Sequence, residues 1–278
     1  MTVAGPTLSQ RAQKLRRLAL ESIAAAGSGH PGGSLSAADI VAVLFFQELR
    51  WHEKDPLWPL RDRFILSKGH AAPILYAALA ETGRIPEESL QTLRRTGSPL
   101  QGHPSVKDLP WVEASTGSLG QGLSIGLGHA LAGKMDGLDF RVFVLLGDGE
   151  LNEGQVWEAA MAASHYGLQN LVAIVDQNGF QLDGATDAIM GLGPLPAKWE
   201  AFGWQVEEVN GHDVAELQRA LAIPRPRWEE KGRPRVIIAH TVKGKGVSFM
   251  EGNNAFHGRA PTPEELKKAL WELGGEAP

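Results

Sequence analysis

Asp148 stands between two glycines in GDGELNEG (147–154), directly after the apolar run RVFVLL. That is a poor place for packing and a good one for a hard cation. A second apolar run, NLVAIV, closes on Asp176-Gln177-Asn178, one strand–helix–strand unit further along. The two strand ends are therefore candidates to be neighbours. Asp148 would give a carboxylate oxygen, Asn178 an amide oxygen, and the backbone near Phe180 a carbonyl. Oxygen donors with few protein charges suit a magnesium ion that also holds the phosphates of a substrate or cofactor. Asp-Gly and Asn-Gly also make ordinary polar turns, so the pattern alone leaves both readings open. TGSLGQG (116–122) offers the matching anion site. Its glycines free the N–H groups around Gly117, Ser118 and Leu119 to face a ligand, and the helix that follows presents its positive end. It has no Gly-Lys-Ser/Thr and is not a dinucleotide fingerprint.

The chain has nine histidines, and four stand out in Gly/Pro-flanked loops: His30 in GHPGG, His70 in KGHAAP, His103 in GHP and His257 in FHG. A single loop histidine is ordinarily a surface residue. Four in such settings point to one polar site, and their spacing fits no zinc motif. Proton transfer and hydrogen bonding to a polar or anionic substrate remain. Arg61, Arg63 and Lys68 suit structural ion pairs. Lys243 and Lys245 in TVKGKG follow a strand, and either reach an anion or face solvent.

The elements that must carry these residues read as follows. Apolar spacing gives a helix over 8–26. Gly27–Gly33 breaks it, and a second helix is expected from about Ser36, with Asp39 three residues on. FILS (64–67) is a short strand, 71–82 a helix, and EESLQTLRR another short helix. A helix follows TGSLGQG, and NEGQVWEAAMAASHYG is a helix between the two apolar strands. WQVEEV and RVIIAHT are further strands, and a last helix covers about 262–273. Apolar strands without alternation, separated by helices, predict an α/β chain with a doubly wound, mostly parallel sheet covered on both faces. Ligands of such sheets bind beyond the carboxyl ends of the strands, where Asp148, Asp176, Asn178 and Lys243 fall. One domain spanning 1–278 is the economical expectation.

The 278 residues contain no cysteine and carry a net charge of −5. Disulfides, thiolate nucleophiles and thiolate metal sites are thereby excluded. The charge disfavours nucleic acid as a partner. No apolar run is long enough for a membrane span, and no secretory leader is evident. A cytoplasmic location is expected.

GHPGGSLSAADI, RDRFILSKGHAAP, QGHP, STGSLGQGLSIGLGHAL, GDGELNEGQVWEA, DQNGFQLDG and FHG occur in this order over about residues 10–260. Together they resemble the N-terminal, diphosphate-binding half of transketolase. The resemblance implies the thiamine diphosphate-binding fold, with thiamine diphosphate and a divalent cation, magnesium or calcium, as cofactors. It makes Asp148, Asn178 and the Phe180 carbonyl the metal ligands. Gly117, Ser118, Leu119, Gly149, His70 and Lys243 go to the cofactor, and His30, His103 and His257 to the substrate channel. Glu153 and Glu158 become a carboxylate network at a dimer interface. Glu150 and Asn152 fill variable positions and receive no role. Gln177-Asn178 stands where the family shows Asp-Asn or Asn-Asn, which leaves the ligand in place. The chain stops soon after FHG, so the resemblance implies one half of a split transketolase acting on sugar phosphates. A separate C-terminal, pyrimidine-binding subunit would complete it, as an α2β2 assembly. Deoxyxylulose-phosphate synthase shares GDG and TVKGKG but shows GHLG and GHSS. The 2-oxo acid dehydrogenase α subunit lacks the GHPGG and KGHA histidines. A non-catalytic binding module on the same fold is the remaining alternative.

Overall fold

The computed structural model describes residues 5–229 and 232–275. Thr7 and Gln10 form a reciprocal capping box that opens α1 (Leu8–Ala26), and Gly27, at φ 64°, closes it in the left-handed region. α2 (Pro31–Ser36) and α3 (Ala38–Val43) follow, the latter running on into a π-wound turn at Leu44–Glu48. Then come β1 (Arg63–Leu66), α4 (Ala72–Glu81), α5 (Gln121–Met135), β2 (Val142–Gly147), α6 (Gly154–His165) and β3 (Leu171–Gln177). The remainder is α7 (Thr186–Met190), α8 (Leu195–Ala201), β4 (Gln205–Asn210), α9 (Val214–Leu221), β5 (Arg235–His240) and α10 (Pro263–Glu272).

The five strands form one parallel sheet in the order β1-β2-β3-β5-β4. Alternate residues of the central strands feed two cores. Phe143, Leu145, Val172, Ile174 and Ile237 pack towards α1, α3, α4 and α9. Val142, Val144, Leu146, Ala173, Val175 and Ile238 face the side of α5, α6 and α8. A strand buried on both faces must be apolar throughout, which is why these runs show no alternation. β4, at the edge, is half exposed. In the β2–β3 register Gly147 lies opposite Asp176, and the Asp148 N–H donates to the Asp176 carbonyl at 3.3 Å. The cation-type residues thus meet at neighbouring strand ends. No helix among the described residues is long and apolar enough to cross a membrane.

The structure corrects the sequence reading at several elements. Gly27–Gly33 does interrupt the first helix, but the next one starts earlier than expected: Pro31, Gly32 and Gly33 open α2, with His30 at its N-cap. Ser36 ends α2 rather than starting a helix, and its hydroxyl donates to Asp176 Oδ2 at 2.6 Å. The segment at 87–92 is a 3-10 turn. α7, α8 and α9 have no counterpart in the sequence reading.

Candidate active site

Asp148 is 2% exposed at the end of β2. Its Oδ1 accepts from the Gly149 N–H at 2.9 Å. Its Oδ2 accepts from the Gly179 N–H at 2.7 Å and from the Thr186 hydroxyl at 3.2 Å. Burial, with the Asp176 charge behind it, pushes its pKa up to about 6. Asn178 follows β3, and its Oδ1 accepts from the Phe180 N–H at 3.2 Å. A loop closed by Gln181 N–H to the Gly184 carbonyl (2.9 Å) and Thr186 N–H to the Gly179 carbonyl (2.9 Å) fixes the backbone at Phe180.

Beneath lies a buried ion pair. Asp176 accepts from the Lys68 ammonium and from the hydroxyls of Ser36 and Thr241. Burial pushes Asp176 up, but Lys68 and the hydroxyls outweigh it and hold it below the usual carboxylate range. Lys68 also donates to the Gly33 carbonyl at 2.9 Å, so the ion pair ties α2 to the sheet.

The four histidines converge. Ring centroids lie 5.2 Å apart for His30–His70, 5.6 Å for His30–His257, 5.3 Å for His70–His257 and 6.4 Å for His30–His103. Burial, reinforced by neighbouring cations, lowers His30 and His257 to about 4 and His70 well below its ordinary value; His103 is lowered too. All four are therefore neutral near pH 7. Lys243 Nζ lies 2.9 Å from His257 Nδ1 and donates to Asn254 Oδ1 at 2.8 Å. A protonated Lys243 makes Nδ1 of His257 an acceptor, which puts the ring proton on Nε2. Burial and the nearby Lys68 bring Lys243 down to about 8.

His30, His70, His257, Gly117, Leu119, Asp148, Gly149, Asn178, Phe180 and Lys243 line one cavity of about 300 Å³ at the carboxyl ends of the strands. His103 stands just beside it, against Gly117. Gly117 has φ 135°, and a Cβ there would lie 2.7 Å from the His103 ring. Ser118 is exposed and outside the lining. Glu153 and Glu158 are not brought into the cavity either; both are exposed, at the start and on the surface of α6. The other cations sort as ion pairs. Arg61 binds Glu113 through two contacts of 2.8 Å, and Lys245 meets Glu251 at 3.4 Å.

Glu150, given no role from sequence, is 3% exposed and gathers the site. Its Oε1 accepts from the Gly120 N–H at 2.8 Å and from Ser67, and its Oε2 accepts from the Gly147 N–H at 3.0 Å. One carboxylate thereby joins the Gly-rich loop, the β1 end and the β2 end. Its neighbours in sequence give little hint of this, because two of its three partners, Ser67 and Gly120, are remote in the chain.

The cavity suits a diphosphate and a cation. Among the described residues no group of three or more His, Cys, Asp or Glu is placed to hold a metal. A cation at Asp148 must therefore draw on amide, carbonyl and ligand oxygens, the donor set that magnesium uses with phosphates. A Cβ at Gly149 would lie 2.6 Å from Gln181 Cβ, so only glycine fits against the loop that follows β3.

A family model described as transketolase, thiamine diphosphate binding domain, matches residues 8–277. The 6-deoxy-6-sulfo-D-fructose transketolase subunit of Clostridium sp. (strain MSTE9) is 44% identical over 269 residues, 97% of either chain. An apulose-4-phosphate transketolase subunit from Phocaeicola vulgatus is 42% identical over 268 residues, 96% of this chain and 94% of its own. The transketolase of Leishmania mexicana superposes with a TM-score of 0.91 at 32% identity, over 98% of this chain. The chain spans only 42% of that larger enzyme. With the sheet, the converging histidines and the strand-end carboxylate on the same surface, the chain belongs to the transketolase N-terminal family and is a thiamine diphosphate-binding subunit of transketolase type.

Proposed function

We propose that this chain binds the diphosphate half of the cofactor in a two-subunit transketolase. A separate C-terminal subunit would hold the pyrimidine half, and the pair would move a two-carbon ketol unit from a ketose to an aldose. The carrying observation is that His30, His70 and His257, from three segments, line the same cavity as Asp148 and Asn178, with His103 beside them. The relatives' names speak of sugars with a phosphate or a sulfonate, and an anionic sugar is the substrate class we assign here.

Asp148, Asn178 and the Phe180 carbonyl would hold a magnesium or calcium ion. Gly149 and the loop at Gly117–Leu119 would lie along the diphosphate. Asp148 favours this role because it is buried, and Lys68 is already taken up by Asp176. Thiamine diphosphate, when bound, supplies an electron sink for the carbon–carbon cleavage. The chain's histidines supply the hydrogen bonds and proton handling around it. His257 offers Nε2–H as a donor to a sugar oxygen. His30 Nδ1 is buried with no protein partner, and is free to take a proton or a hydroxyl hydrogen bond. Near-neutral rings avoid adding positive charge beside Lys68 and Lys243. Glu153 and Glu158, exposed on α6, would face the other chains of an α2β2 assembly.

The test is to purify the chain with and without its partner from the native source. Ketol transfer is then assayed with thiamine diphosphate and magnesium. Turnover is expected from the complex only. Asp148→Asn should lower metal-dependent cofactor affinity at least about a hundredfold, the scale of losing a charged ligand. Full turnover by the chain alone, or cofactor binding indifferent to magnesium, would overturn the reading.

A further inference from the structure

β4 leaves the sheet through Gly211-His212-Asp213, outside the lining of the cavity. The Gly211 N–H donates to the His240 carbonyl at 2.8 Å. A Cβ on Gly211 would lie 2.4 Å from Thr241 Cγ2, so only glycine lets the exit of β4 press against the exit of β5. Asp213 caps α9, accepting from the Ala215 and Glu216 N–H groups at 2.8 and 3.0 Å. The His212 side chain is held between these two anchors and is 13% exposed.

Both ring nitrogens of His212 are hydrogen-bonded to the protein. Nε2 accepts from the Val242 N–H at 2.8 Å. A backbone N–H can only donate, so Nε2 carries a lone pair and the ring proton sits on Nδ1. Nδ1 donates to Asp39 Oδ2 at 2.7 Å. Asp39, on α3, also accepts from the Arg16 guanidinium of α1. Burial pushes Asp39 up, but His212 and Arg16 outweigh it and hold it below the usual carboxylate range. Asp39 is therefore an ionised acceptor, and the tautomer of His212 is fixed from both sides.

Val242 directly precedes Lys243, which is 2% exposed and lines the cavity. The backbone on either side is tied too. The Thr241 hydroxyl donates to Asp176, and the Gly244 N–H donates to the Gly32 carbonyl at 3.0 Å. Lys243 then reaches Asn254 and His257 Nδ1. A hydrogen-bonded line thus runs from Asp39 through His212 and the turn at Val242 to Lys243 and His257.

We propose that His212 is a positioning residue: through the Val242 N–H it sets the backbone that carries Lys243 into the cofactor cavity, with Asp39 fixing the tautomer this requires. It rests on the proposed function above. The ring does not line the cavity, so it acts through the turn and not by contact.

The experiment uses the complex with the partner subunit, carrying His212→Asn or His212→Gln, each alone and together with Lys243→Met. Thiamine diphosphate affinity is titrated in magnesium. The short asparagine amide keeps a donor for Asp39 and leaves the Val242 N–H without an acceptor. The longer glutamine amide places an oxygen where Nε2 stood. His212→Asn should weaken cofactor affinity about tenfold, the scale of one buried N–H left unpaired, and His212→Gln should recover most of it. Beside Lys243→Met, the same substitution should cost nothing further, because the ammonium it positions is gone. An equal loss in both backgrounds makes His212 a clamp for stability alone and overturns the proposal. So does an unchanged affinity, or a His212→Gln complex as weak as His212→Asn. If His212→Asn does not assemble, Asp39→Asn enters the same cycle, since an amide donor at Nδ1 would move the ring proton to face the Val242 N–H. The titrations need no turnover. An inactive wild-type complex would therefore overturn the proposed transferase function while the His212 comparison is still read.

Discussion

The ionisable groups at the carboxyl end of the sheet have their charged forms penalised. Asp148 is pushed up to about 6, Lys243 down to about 8, and His30 and His257 down to about 4. In each the first cause is burial, which penalises the charged form. A divalent cation and a diphosphate would bring opposite charge to the same place, so the site is built for occupied chemistry rather than for stability. The histidines also set a pH dependence. In the unfolded chain they take up protons near 6.5, while folded His30 and His257 refuse them until about 4. The unfolded state binds more protons in that window, so stability rises with pH across it and is lost as pH falls from 6.5 towards 4. His257→Asn should shrink that acid-side loss in denaturant titrations of the isolated chain at pH 7 and pH 4.5. An unchanged loss would remove His257 from the account. The histidines were legible in the sequence because glycine and proline flank them. Glu150 was not, because its meaning depends on Ser67, Gly120 and Gly147 reaching one carboxylate after folding.

Elements show the same division. α1, β2, β3 and α10 follow from apolar periodicity and caps, including the reciprocal bonds of Thr262 and Glu265. α2 was illegible because Gly32 and Gly33 have poor intrinsic helix propensity. Packing overrides it. All six residues of α2 are buried, and a Cβ on Gly32 would lie 3.0 Å from Lys243 Cγ. The helix is therefore glycine-rich because Lys243 and the Phe256 carbonyl pass so close. α7 to α9 escaped notice for a different reason: they are short, and loop-forming residues surround them. The loop at 116–122 depends on Glu150 in the same tertiary way. Glu150→Ala should lower stability by about 2–3 kcal/mol, since it strands a buried N–H at Gly120 and another at Gly147. Cofactor affinity should fall with it. Calorimetry and cofactor titration of the variant check both, and a loss of affinity without loss of stability would place Glu150 at the ligand itself.

At the scale of the molecule, apolar side chains stand in solvent beside the cavity. Leu182, which lines it, is 65% exposed, and Ile189 and Met190 are 50% and 60% exposed. The Met190 carbonyl accepts from Asn152 at 3.2 Å, which fastens α7 to the turn after β2. If a partner subunit closes the cavity, this segment is where contact begins. Met190→Asp should weaken association at least about tenfold, as loss of an interface anchor does. The chain's own melting should change little, because the side chain is already in water. Size-exclusion chromatography with light scattering reads the first effect and calorimetry the second; an undiminished complex would move the contact elsewhere.

The sheet also has an open flank. β4 bonds only to β5, and its outer strand carries Gln205, Glu207, Glu208 and Asn210, of which three are exposed. Acidic groups along a free strand repel a second such strand and deny it an apolar template. The chain can thus wait at high concentration for its counterpart without zipping edge to edge into fibres. Growth by strand addition at the β4 edge is thereby disfavoured.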